Sequence, residues 1–121
     1  MSDPTTQPVD PAELSIVNIL INQLSLLLSE LLDASRSTVD PAELIQINNE
    51  MLSVQTILTQ ATQAQAAADD VIFGHVTQAL KTQAGMLEGL EAQVTKIVTD
   101  AAAVARIVGY VAEAVSLIGR L

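Results

Sequence analysis

A histidine flanked by carboxylates at the right spacing can hold a metal or move a proton, so the search for chemistry starts at His75, the only histidine in a chain without cysteine. Its nearest carboxylates, Asp69 and Asp70, stand in no ligand spacing typical of a zinc or mixed metal site. A serine nucleophile needs a base and an orienting acid, and the sequence offers no Gly-x-Ser-x-Gly turn to carry one. Asp69-Asp70 and the pair Glu88 and Glu91 could each be read as paired carboxylates for acid–base work, and a helix cap and a solvated helix face account for them. Gly85-Met-Leu-Glu-Gly89 lacks the lysine of a phosphate-binding loop. It has the spacing of a small-residue packing notch instead, weakened by the charge of Glu88 inside it. No enzyme activity, metal or cofactor is expected.

Composition narrows the partners. Fourteen acidic and five basic residues give a formal charge of −9, which repels nucleic-acid phosphates and anionic lipid headgroups. One Phe, one Tyr and no Trp leave no stacking platform for single strands and few aromatic anchors for a foreign protein. Half of the residues are hydrophobic and the mean hydropathy is +0.41, yet that content is Leu, Ile, Val and Ala. Nucleic acid is excluded as a partner and a membrane is not expected. The N-terminal stretch has neither the basic nor the apolar region of a secretory signal, which leaves a cytoplasmic location or export without a cleaved signal.

The elements that would position any site are helices. Residues 1–9 form an extended polar lead, because Pro4 and Pro8 disfavour helix before them. Asp10 then suits an N-cap, Pro11 the first helical position, and Glu13 the third. A helix over about 11–35 follows, with an uncharged seam of Ser15, Asn18, Asn22, Ser25 and Ser29. Apolar residues, including Ile16, Leu20, Leu24, Leu27 and Leu31, lie on both sides of that seam. The start then recurs: Val9-Asp-Pro-Ala-Glu-Leu14 returns as Val39-Asp-Pro-Ala-Glu-Leu44, thirty positions on. Two copies do not make a solenoid, and a reused helix opening explains them.

The second helix, about 41–67, carries Leu44, Ile47, Met51, Val54, Leu58 and Ala61 in steps of three and four, the seam of a left-handed coiled coil. Its other faces are uncharged amides and hydroxyls, and its seam thins to alanine toward residue 68, which predicts the weakest packing in the chain. No proline follows Pro41. After a turn near 67–70 the rhythm of Leu80, Leu87, Leu90, Val94, Ile97, Val104, Val108, Val111, Val115 and Ile118 predicts one long third helix over about 70–120. A break at 85–89, where glycines cluster, is the alternative.

The end of that helix is the most distinctive stretch. Ile97, Val104, Ile107, Val108, Val111, Val115 and Ile118 share one face, while Ala101, Ala105, Gly109, Ala112, Ser116 and Gly119 gather on the next, and Arg106, Glu113 and Arg120 form a thin polar strip. Small side chains let another helix backbone come close. Arg106 and Glu113 would cost about 2.5–3.5 kcal/mol each at a bilayer centre, which argues against a membrane span.

The reading is all-α: a single helical domain over 10–121, a long-helix bundle or helical hairpin with coiled-coil-like heptad packing, self-associating through apolar faces that one copy cannot hide. The expected self-association residues are Ile16, Leu20, Leu24, Leu27, Leu31 and the ladder Ala101, Ala105, Gly109, Ala112, Ser116 and Gly119. Function then follows as a structural protein that forms a homo-oligomer or filament, with itself as partner. The alternatives are an acidic adaptor or secretion-chaperone-type module for another helical protein, and an oligomeric pore. The pI near 4.1 predicts tighter or rearranged assemblies in acid, as repulsion between copies falls.

Overall fold

The computed structural model describes residues 7–121, so most of the expected extended lead lies outside the described residues. Four helices follow: α1 (Pro11–Ser37), α2 (Pro41–Gln65), α3 (Asp70–Val94) and α4 (Ala101–Gly119). Each packs on two neighbours, α1 on α2 and α4, α3 on α2 and α4, and none across the diagonal. With linkers of a few residues between consecutive helices, that ring is an antiparallel four-helix bundle.

Every helix begins on an aspartate. Asp10 accepts a hydrogen bond from the Ala12 amide at 2.9 Å and Asp40 one from Ala42 at 2.8 Å. Asp69 accepts from Ile72 at 2.9 Å and Asp100 from Ala102 at 3.0 Å. Each carboxylate satisfies an amide that the helix cannot, and its charge complements the positive end of the helix dipole. Asp69 is thus engaged as the cap of α3. The chain entering α1 is tied across the bundle end, where the Asp70 amide donates to the Gln7 carbonyl at 2.9 Å.

The repeated start sets more than a turn. Over residues 11–34 and 41–64, burial matches position by position at an offset of thirty, save that Leu20 is buried where Glu50 is only partly so. Val17, Leu24, Leu27, Leu31 and Ala34 in α1 correspond to Ile47, Val54, Ile57, Ala61 and Ala64 in α2, all buried. The residue types diverge after Leu44 while the inward register persists, because identical caps start both helices in the same phase. Burial holds the Glu50 carboxyl above its ordinary range, since the charged form loses solvent there.

One expectation about the elements needs correction. The predicted 70–120 helix does not exist as one rod: α3 runs uninterrupted through Gly85 and Gly89, and the break falls at residues 95–100. Asp100 caps a new helix there, and Ile97 and Val98 fold inward in the linker, half-buried, so the apolar rhythm continues across a turn. With 25 and 19 residues, α3 and α4 are about 37 and 28 Å long at 1.5 Å per residue, short enough to pair side by side. At the alanine-rich end of α2, Ala61 and Ala64 are 0% exposed, whereas Gln65, Ala66 and Ala68 remain exposed. Phe73, near the start of α3, is buried in the same cluster and supplies volume that the alanines lack.

Candidate functional surfaces

His75 is exposed and alone, and no group of three or more His, Asp or Glu side chains converges to hold a metal among the described residues. Glu88 is exposed and Glu91 half-buried, both lining an open hollow of about 580 Å³ against Val111, Ala112, Val115 and Ser116 of α4. A polar concavity of about 490 Å³ lies at the end of the bundle that holds the 38–40 and 95–100 linkers, lined in part by Glu30, Asp33, Asp40, Glu43, Asp100 and Arg106. There the Arg106 Nε donates to Glu30 Oε1 at 2.7 Å, which raises the guanidinium pKa further and joins α4 to α1. Glu30 is thus paired with Arg106, Asp40 and Asp100 are engaged as helix caps, and Asp33 lies 3.7 Å from Arg36.

The residues expected to mediate self-association divide sharply. Leu20, Leu24, Leu27 and Leu31 are buried in the core of their own chain at 0% exposure, and Ile16 is partly buried against it. They are not a free surface, because a ring of four helices gives α1 two neighbours and one helix neighbour on each side covers a wide stripe. Of the apolar residues between Ile16 and Leu32, only Ile19, Leu26 and Leu32 remain exposed. The ladder Ala101, Ala105, Gly109, Ala112, Ser116 and Gly119 is bare along its length. A Cβ built on Gly109 or Gly119 meets nothing within 4 Å, so these glycines serve no close helix approach inside the subunit. The surplus of apolar surface inferred from sequence is therefore much reduced. The core stripe of α4 also rotates: Ala114 and Leu117 join Ile107, Val111 and Ile118 in the core, while Val104, Val108 and Val115 lie at its edge.

A different face stands out. The only charged residues of α2 are Glu43 and Glu50, both partly buried, so the solvent-facing side of this 25-residue helix carries no charge at all. Ile45 and Leu52 stand on it at 62% and 61% exposure. Its hydroxyls are turned back on their own helix: Thr56 donates to the Leu52 carbonyl at 3.0 Å, Thr59 to Gln55 at 2.9 Å, and Thr62 to Leu58 at 2.9 Å. That bond leaves the threonine methyl outward and spends the donor, so the face is drier than its composition suggests. Leu58, Thr59, Thr62, Gln63 and Ala66 line a shallow, wide-open and mostly apolar depression of about 420 Å³. The neighbouring face of α1, from Leu14 to Ser29, is equally without charge, and the Gln65 amide reaches it by donating to Asn18 at 2.7 Å. The uncharged tract was readable in the sequence; the depression and the inward-turned hydroxyls were not.

No family model, curated protein or solved structure matches this chain.

Proposed function

We propose that this chain is a non-catalytic structural protein that works by association through helix faces, with copies of itself as the first partner. One observation carries the reading: a strongly acidic molecule keeps the whole exposed side of α2 free of charge while placing Ile45 and Leu52 in water. Solvated helix faces ordinarily carry charges, and apolar side chains left exposed along an uncharged helix favour a partner. The inward side chains at steps of three and four support heptad-like packing within each subunit. Among the described residues no group of three or more His, Asp or Glu side chains converges, which fits a non-catalytic role.

Sedimentation velocity of the purified chain between about 1 and 200 µM is the test, a range that brackets the affinity of a small interface. Concentration-dependent growth into dimers or larger species is expected. A compact monomer throughout would overturn the reading and favour an adaptor that waits for another protein.

A second reading draws on hydropathy. By length and composition, α1 and α4 are apolar enough to cross a membrane, with window hydropathies of 1.5 and 1.7, and they are neighbours in the bundle. Release of dye from neutral liposomes would favour an oligomeric pore; intact liposomes would leave association in water as the function.

A further inference from the structure

We infer that residues 7–9 are a strap that closes the α2–α3 end of the core, and that letting the strap go opens this end while the rest of the bundle stays folded. The device lies within one subunit, so it stands whether or not copies associate.

The path of the chain comes first. Helices α1 and α3 lie diagonally across the ring and make no contact. Yet the Gln7 carbonyl accepts from the Asp70 amide at the start of α3, at 2.9 Å, and only three residues later Asp10 caps α1. Three extended residues reach about 10 Å, so the segment runs over the end of the core from one diagonal helix to the other. Gln7 and Pro8 are exposed along it. Val9 alone turns inward, half-buried against the core cluster.

The end it crosses needs a cover. The 38–40 and 95–100 linkers both span the opposite end, and the second folds Ile97 and Val98 inward. Only the 66–69 linker spans this one. The buried side chains that α2 and α3 bring to it are mostly small, Ala61, Ala64 and Thr77, with Phe73 the large one at 2% exposure. Ala67 and Leu121 also pack against the cluster here, and Val9 completes the cover.

The tether is a donor that the first two helices lack. Their first helical position is Pro11 and Pro41, which have no amide to offer. In α3 that position is Asp70, whose amide the helix cannot bond by itself, and Gln7 takes it. One backbone hydrogen bond and one half-buried valine are small beside the whole core, so this closure gives way before the fold does.

The experiment is native-state amide hydrogen exchange of the full chain at increasing denaturant, wild type against Asp70→Pro, Asp70→Ala and Val9→Ala. Proline deletes the tethering donor and keeps the helix start, because its φ suits the first position and Asp69 before it is already extended, at φ −153° and ψ 173°. Alanine removes the same carboxylate and keeps the donor. In wild type the amides of residues 73–77 are expected to exchange faster than those of residues 24–31 and with little dependence on denaturant, the mark of a local opening. Asp70→Pro is expected to speed exchange at 73–77 about three- to tenfold over Asp70→Ala, which is what one net hydrogen bond is worth. Val9→Ala is expected to move the same amides in the same direction from wild type, and it carries the comparison alone should Asp70→Pro fail to fold. Equal rates in Asp70→Pro and Asp70→Ala, or Val9→Ala exchanging like wild type, would overturn the strap. Residues 73–77 opening only together with 24–31 would overturn the local release.

Discussion

The outer sides of α2 and α4 invite opposite readings from sequence and from structure. In sequence α4 is the conspicuous one, with Ala101, Ala105, Gly109, Ala112, Ser116 and Gly119 in a ladder, whereas α2 looks like an ordinary polar helix. In the folded chain the ladder stands open beside Arg106, Glu113 and Arg120, and the hollow against Ala112 and Ser116 is lined by Glu88 and Glu91 as well. The α2 side combines exposed Ile45 and Leu52, threonine methyls and a shallow, mostly apolar depression without a single exposed charge. Small size permits contact; exposed apolar side chains clear of charge favour it.

The largest effect separates core from surface. Leu24→Ala is expected to destabilise the subunit by about 2–5 kcal/mol, the cost of a fully buried leucine replaced by a cavity, as read by chemical denaturation. A change in association without loss of stability would return α1 to the list of contact faces. Next, Gly109→Leu and Leu52→Glu set the two outer sides against each other directly. Leu52→Glu is expected to weaken dimerisation at least about tenfold, equivalent to some 1.4 kcal/mol, and Gly109→Leu to leave it unchanged. The reverse order would make α4 the interface.

A third substitution uses the internal repeat. Glu50 occupies in α2 the position that buried Leu20 holds in α1, so Glu50→Leu is expected to stabilise the fold by about 1 kcal/mol, part of the value of a buried leucine. Its pH dependence has a definite sign. The Glu50 pKa is raised in the folded state by burial, so the folded chain takes up this proton before the unfolded chain does. Its contribution to stability therefore improves as pH falls through the folded pKa, levelling off near the unfolded value of about 4.3. The gain from Glu50→Gln should accordingly be greatest near neutral pH and shrink on acidification; a gain independent of pH would place the carboxyl in full solvent.

Smaller still, Gly109→Ala is expected to stabilise α4 by up to about 1 kcal/mol, because nothing lies within 4 Å of the added Cβ and alanine is the better helix former. Loss of stability would reveal a close approach absent from the isolated chain. Acidification from about pH 7 to 4.5 should tighten any assembly, since it removes like charge from both copies; unchanged light scattering would show that repulsion does not limit association.

How much was legible follows from which forces are local. Asp10, Asp40 and Asp69 announced their helices because a cap depends on three or four adjacent residues, and Asp100 could have been read the same way from the β-branched Thr95, Ile97, Val98 and Thr99 before it and the alanines after it. The inward stripe of α2 was visible at Ile47, Val54 and Ala61. Lost was the position of Leu20, Leu24, Leu27 and Leu31, which sequence placed on an interface between copies.

The sequence by itself determined that the chain is helical, where three of its four helices start, that it is acidic, and that one long tract carries no charge, since these depend on neighbours along the chain. Only the tertiary structure decided that four helices close into a ring, that the leucines of α1 are spent on their own subunit, and that α2 keeps Ile45 and Leu52 exposed on a side without exposed charge. A single helix shows how many apolar residues it has. How many of them water still reaches depends on the number of helices packed around it, and that number turned on a turn at residues 95–100 with no glycine or proline to mark it.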